Sequence, residues 1–215
     1  MLVTLHEVME IAEREKIAIG AFNTPNLECL QAVIGAAEEL QLPVIAQFAE
    51  CHEPWNPLDD LGPIIVMLAE KASVPVCVHL DHGETVAYIE KALKIGFTSV
   101  MFDGSHLPLD ENIKTTKEVI ALAKKYGADV EAEIGCVGGS DDGSEDIAIN
   151  CTKPEDAVRF ENETGVDALA IAIGNAHGNY KSTPKLRFDI LEQVEKNTEL
   201  PLVLHGGTGI TPDDF

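Results

Sequence analysis

Positive charge is scarce in this sequence: 15 lysines and arginines stand against 37 aspartates and glutamates in 215 residues, a formal net charge of -22. Such an imbalance repels nucleic acid and anionic lipid surfaces, so neither is expected as a partner. An anionic substrate would have to be held locally, by backbone amides, a metal ion or a few placed cations. Long apolar runs are also lacking, and no stretch approaches membrane-spanning length. The amino-terminal segment MLVTLHEVMEIAEREK mixes charges of both signs in an amphipathic pattern and has no secretory signal core. Cysteine is sparse and without close pairs: Cys29, Cys51, Cys77, Cys136 and Cys151 are odd in number and widely spread. This spread argues against a disulfide framework or a cysteine zinc site, and a cytoplasmic, reducing location is expected. No GxGxxG turn follows the first strand-like run, which argues against an open dinucleotide-binding sheet.

What is present is a regular alternation. Seven short apolar or β-branched runs recur: 16–22, 42–48, 74–80, 97–103, 128–135, 167–174 and 200–207. Near-continuous apolar strands of this kind are buried on both faces in parallel sheets. Helical stretches separate them. Thr4 with Glu7 and Thr152 with Glu155 read as capping boxes, Thr24-Pro25 as an N-cap followed by a first-turn proline, and Gly96 and Gly127 as helix stops. Helix, then strand and helix repeated, predicts an α/β chain with the (β/α)8 TIM-barrel architecture, as one domain over residues 1–215. An eighth strand is not found. Thr211-Pro212-Asp213-Asp214-Phe215 reads as a helix start, so the expectation is a barrel truncated after its seventh strand, lacking the C-terminal part.

In such barrels the chemistry sits at the carboxyl ends of the strands. There the sequence places His79-Leu80-Asp81-His82-Gly83, Asp103-Gly104-Ser105-His106, Glu131-Ala132-Glu133, Gly174-Asn175-Ala176-His177-Gly178 and His205-Gly206-Gly207-Thr208-Gly209. His82, His177 and His205 end three different strands, each followed by glycine. One such histidine is usually structural; three in register suit a catalytic zinc that polarises a carbonyl. His79 alternates onto the side of Asp81 and reads equally as a partner to a ligand or as a satisfied core histidine. His6, His52 and His106 are expected at the solvent or in loops. Gly178, Gly206, Gly207 and Gly209 permit close backbone approach to an anion as well as simple tight turns, and Lys181 could add a cation.

Taken together, LDHG (80–83), FTSVMFDGS (97–105), VEAEIGCVGG (130–139), GNAHGNYK (174–181) and LHGGTGI (204–210) resemble the class II fructose-bisphosphate and tagatose-bisphosphate aldolases. The resemblance implies a zinc-dependent lyase of carbohydrate metabolism that cleaves a phosphorylated ketose reversibly to dihydroxyacetone phosphate and glyceraldehyde 3-phosphate. It implies His82, His177 and His205 as ligands of the catalytic zinc, and Asp103 and Glu133 as holders of a displaced metal, a second divalent or a monovalent cation. Asp81 would exchange a proton with the carbon 4 oxygen. Asn23, Gly178, Lys181, Gly206, Gly207 and Thr208 would bind the substrate. A homo-oligomer, dimer or tetramer, is implied for the full-length protein.

The sequence departs from the family pattern in places. After Gly138-Gly139-Ser140, Asp141 stands where the family carries a glutamate base, with Asp142 and Glu145 as alternatives. Gln47-Phe48-Ala49-Glu50-Cys51 lacks the serine common there, and Thr208 replaces a frequent serine. The alternatives are another zinc-dependent barrel aldolase or hydrolase with a different substrate, and an inactive truncated product.

Overall fold

The computed structural model describes residues 1–139, 150–178, 180 and 184–215 of the protein. They form two compact units, one of residues 1–102 and 118–130, the other of residues 103–117 and 131–215.

The first unit opens with a two-residue strand β1 (Leu2–Val3) and helix α1 (Leu5–Glu15). It continues through β2 (Ala21–Asn23), α2 (Leu27–Leu40), β3 (Val44–Ala49), α3 (Leu58–Lys71), β4 (Val76–Gly83), α4 (Val86–Ile95) and β5 (Ser99–Phe102). Strands β2, β3, β4 and β5 pair in that order and all are parallel. Strand β1 was not foreseen. It pairs with the start of β4 through Leu2 and Val76, before β5 joins β4 at His79. Every residue of β3 and β5 is buried, as the absence of polar alternation requires. The helices cover them with single apolar stripes, such as Leu30, Ile34 and Ala37 on α2 or Leu58, Leu61, Ile65 and Ala69 on α3.

After helix α5 (Leu109–Ala123), strand β6 (Asp129–Ile134) leads into the second unit. There α6 (Pro154–Thr164), β7 (Ala168–Ile171), α7 (Phe188–Asn197) and β8 (Leu202–Val203) follow. Strands β6, β7 and β8 are again parallel and sequential. All seven expected runs are therefore strands, β2 to β8, each followed by helix or turn as in a (β/α) barrel chain. Among the described residues no helix is long and apolar enough to cross a membrane.

The helix signals are realised unevenly. Thr4 and Glu7 form the expected reciprocal box, Glu7 N–H to Thr4 Oγ1 at 3.3 Å and Thr4 N–H to Glu7 Oε2 at 2.7 Å. Gly96 caps α4 at φ 111°, whereas α5 stops at Ala123 and turns before Gly127, φ 69°. Two caps differ. Helix α2 is capped by Asn26, because the Thr24 hydroxyl donates instead to the Gln47 carbonyl at 2.9 Å. Helix α6 starts at Pro154 after Lys153; the Thr152 hydroxyl is spent donating to Ile134 O (2.6 Å) and accepting from Ala172 N–H (2.8 Å). In both cases a buried backbone group on a strand end outcompeted the helix for the hydroxyl.

Candidate active site

In the first unit the end of β4 carries Asp81 and His82. Asp81 is 3% exposed, and both its carboxylate oxygens are engaged: Asn23 Nδ2 donates to Oδ2 at 2.8 Å and Gln47 Nε2 donates to Oδ1 at 3.3 Å. The parallel register makes this possible, since Asn23 lies opposite Gln47 and Gln47 opposite His79 on successive strands. Two amide donors hold the carboxylate in one orientation, as a proton acceptor requires. Asn23 Oδ1 is buried and has no hydrogen-bond partner among the described residues, an acceptor suited to a ligand hydroxyl.

The imidazole of His82 is aimed by a break in the strand. Register between β4 and β5 shifts between Leu80 and Gly83, so that three steps of β4 oppose two of β5, and His82 takes a left-handed φ of 46°. A non-glycine residue in that region costs about 1–3 kcal/mol and is tolerated where the surroundings over-determine it. Gly83 is needed next because a Cβ there would lie 2.6 Å from the Met101 carbonyl oxygen. The half-buried His82 keeps Nε2 3.9 Å from Asp81 Oδ1.

Around them, His79 is a core residue whose Nδ1 lies 2.8 Å from Ser99 Oγ. His6 and His106 are exposed, while half-buried His52 packs its ring against Phe48 and Trp55 at centroid distances of 6.0 and 6.3 Å. Glu50, at the end of β3, accepts the Glu84 N–H at 2.8 Å. Burial pushes its carboxyl above the usual carboxylate range, and that hydrogen bond offsets the push only in part.

In the second unit His177 and His205 come together, their rings 5.7 Å apart at 80°. Buried Glu131 faces His205 Nε2 at 2.8 Å through Oε1. A carboxylate set against one ring nitrogen fixes the orientation of the imidazole, which is the outer support that a metal-binding histidine needs. Glu131 is not among the expected site residues, although the period of two puts it on the same face of β6 as Glu133. Glu133 is 1% exposed and its Oε1 accepts the Val137 N–H at 3.2 Å. Asp103 is half-buried and accepts the Ser105 N–H at 3.0 Å. Burial, with the negative Glu133 and Asp103 nearby, raises the Cys136 thiol above its ordinary range, which disfavours the thiolate.

The loops are tied by backbone. His177 N–H donates to Gly138 O at 2.6 Å, and Gly139, at φ 71°, has no room for a Cβ beside the His177 carbonyl. Cys136 and Asn150 exchange both backbone hydrogen bonds, at 2.7 and 2.9 Å. Asp141, Asp142, Glu145 and Lys181 lie outside the described residues. Gly178, at φ 69°, and Thr208 are exposed, and Gly206 and Gly207 are half-buried.

Comparison with known proteins agrees along the chain. The family model described as fructose-bisphosphate aldolase class-II matches residues 3–215. A probable fructose-bisphosphate aldolase of Bacillus subtilis (strain 168) is 42% identical over 217 residues, covering 100% of this chain and 76% of its own. A 6-phospho-5-dehydro-2-deoxy-D-gluconate aldolase of Halalkalibacterium halodurans is 41% identical, over 99% of this chain and 74% of its own. The crystal structure of the YdjI aldolase from Escherichia coli K12 superposes with a TM-score of 0.89 at 38% identity, covering 100% of this chain and 76% of that one.

Proposed function

Since the chain belongs to the class II fructose-bisphosphate aldolase family and is thus an aldolase, a carbon–carbon lyase, we propose that it cleaves fructose 1,6-bisphosphate or tagatose 1,6-bisphosphate reversibly to dihydroxyacetone phosphate and glyceraldehyde 3-phosphate. The observation that carries this reading is the Asp81 carboxylate, clamped by Asn23 and Gln47 at a strand end and followed by an imidazole turned out of the strand. Asp81 would take the proton of the carbon 4 hydroxyl as the bond between carbons 3 and 4 breaks. The bonding electron pair passes to the fragment that becomes dihydroxyacetone phosphate. Asn23 Oδ1 would accept a substrate hydroxyl.

His82, His177 and His205 would hold the zinc, with Asp103 and Glu133 receiving a displaced or second cation. Zinc bound by neutral imidazoles supplies a Lewis acid for the charge developing on the carbonyl oxygen. The Glu131–His205 contact supports this assignment. Asp141 would serve carbon 3, and Gly178, Lys181, Gly206, Gly207 and Thr208 the phosphate. The enzyme would work in the cytoplasm as a homo-oligomer of one-domain protomers.

A second reading concerns the substrate. Relatives named for 6-phospho-5-dehydro-2-deoxy-D-gluconate are nearly as similar as those named for fructose bisphosphate, and buried Ala49, opposite Asp81, offers no hydroxyl. The test is a panel of these three phosphorylated substrates with zinc-loaded protein. Cleavage of a ketose bisphosphate is the expected result; turnover of the deoxygluconate phosphate alone selects the second reading, and cleavage of none sinks both.

A further inference from the structure

Two side chains of the loop after β7 reach across to the loop after β8. Asn175 is fully buried; its Oδ1 accepts the Ile173 N–H at 2.7 Å and its Nδ2 donates to the His205 carbonyl at 2.8 Å. The half-buried Tyr180 hydroxyl accepts the Ala176 N–H at 2.8 Å and donates to the Gly206 carbonyl at 3.1 Å. Two successive carbonyls are therefore held from outside their own loop. Nothing in the proposed chemistry uses Tyr180.

Its placement has a directional effect. In a trans peptide the carbonyl and the following N–H point opposite ways, so a donor that captures Gly206 O turns the Gly207 N–H away from Tyr180. Gly206 is left-handed (φ 68°, ψ 27°), and a right-handed 3-10 turn, Gly207–Gly209, follows it. A left-handed residue followed by a right-handed one brings successive N–H groups to one concave side, the geometry that receives anions. The glycines make room for the contact. A Cβ on Gly206 would strike the Ala176 carbonyl, and one on Gly209 would strike the Tyr180 ring.

We propose that Tyr180 is a positioning residue for phosphate recognition, its hydroxyl fixing the Gly206–Gly207 peptide so that the amides of this loop face the anion. The identity of that anion, a phosphate of the ketose, rests on the aldolase reading. In a protein with 15 lysines and arginines against 37 acidic residues, oriented amides replace the cations that are missing.

The test is Tyr180→Phe in the whole chain, which keeps the ring over Gly209 and removes only the hydroxyl. Calorimetric titration with inorganic phosphate, KM and kcat for fructose 1,6-bisphosphate, and zinc content are compared with the parent. Phosphate affinity is expected to weaken, and KM to rise, by about tenfold, the factor one net hydrogen bond commands, with kcat falling less and zinc content unchanged. Unchanged phosphate affinity in the variant, a fall in kcat with KM unmoved, or a parent that binds no phosphate would each overturn the inference. A parent that binds phosphate yet cleaves no ketose bisphosphate would refute the ketose-bisphosphate reading alone, and the titration would still decide on Tyr180.

Discussion

Asp81 receives one amide donor on each carboxylate oxygen, from two neighbouring strands, and so can neither rotate nor wander from the position where a hydroxyl proton would meet it. Replacing it by alanine should lower cleavage about 10²- to 10⁴-fold, the range for a positioned acid or base, while zinc content stays nearly constant. Equal turnover would remove Asp81 from the mechanism. Glu50 is a carboxylate whose surroundings disfavour its charge. Burial raises its carboxyl, with Glu84 and Glu53 adding like charge, so the folded state favours the protonated form. A group raised in this way contributes stability below its unfolded pKa, about 4.3, and that contribution is lost as pH rises through the folded value. At pH 7 the ionised carboxylate therefore opposes folding, and Glu50→Gln should raise the melting midpoint by roughly 1–3 °C once solvent screening is allowed for. The gain should shrink at pH 4; a gain of equal size at both pH values would show that charge is not its cause.

At the scale of elements, the strands were legible because a strand buried on both faces leaves an uninterrupted apolar run, and all seven such runs became β2 to β8. The caps were less so. Thr152 and Glu155 have capping-box spacing, yet the Thr152 hydroxyl joins the ends of β6 and β7, a competition that no local pattern displays. Thr152→Val should cost about 1–3 kcal/mol in denaturant unfolding by stranding two buried backbone groups, whereas Glu155→Ala should change stability by less than about 0.5 kcal/mol. A reversed order would restore the capping box. The candidate site divides in the same way. Histidines at strand ends stand out by spacing, whereas Asp81 stood out by the family resemblance. Glu131, Gln47 and Tyr180 did not, because their roles arise from register and from loops meeting, as when Gln47 lies opposite His79 and Tyr180 reaches Gly206.

For the molecule as a whole, a net charge of -22 sets the terms on which it can handle a phosphorylated sugar. The field repels such a ligand, so affinity must come from short-range features: amides turned inward, a few cations and a bound divalent ion. The family assignment makes a metal ion central to the proposed catalysis. The most direct measurement is dihydroxyacetone phosphate release from a ketose bisphosphate after the metal has been removed by a chelator and zinc is titrated back. Activity is expected to vanish with the metal and to return in proportion to zinc, reaching its plateau at about one ion per chain. The same titration of His205→Ala should restore little. Full cleavage by metal-free protein, or inactivation by borohydride trapping of a lysine Schiff base in the presence of substrate, would contradict it.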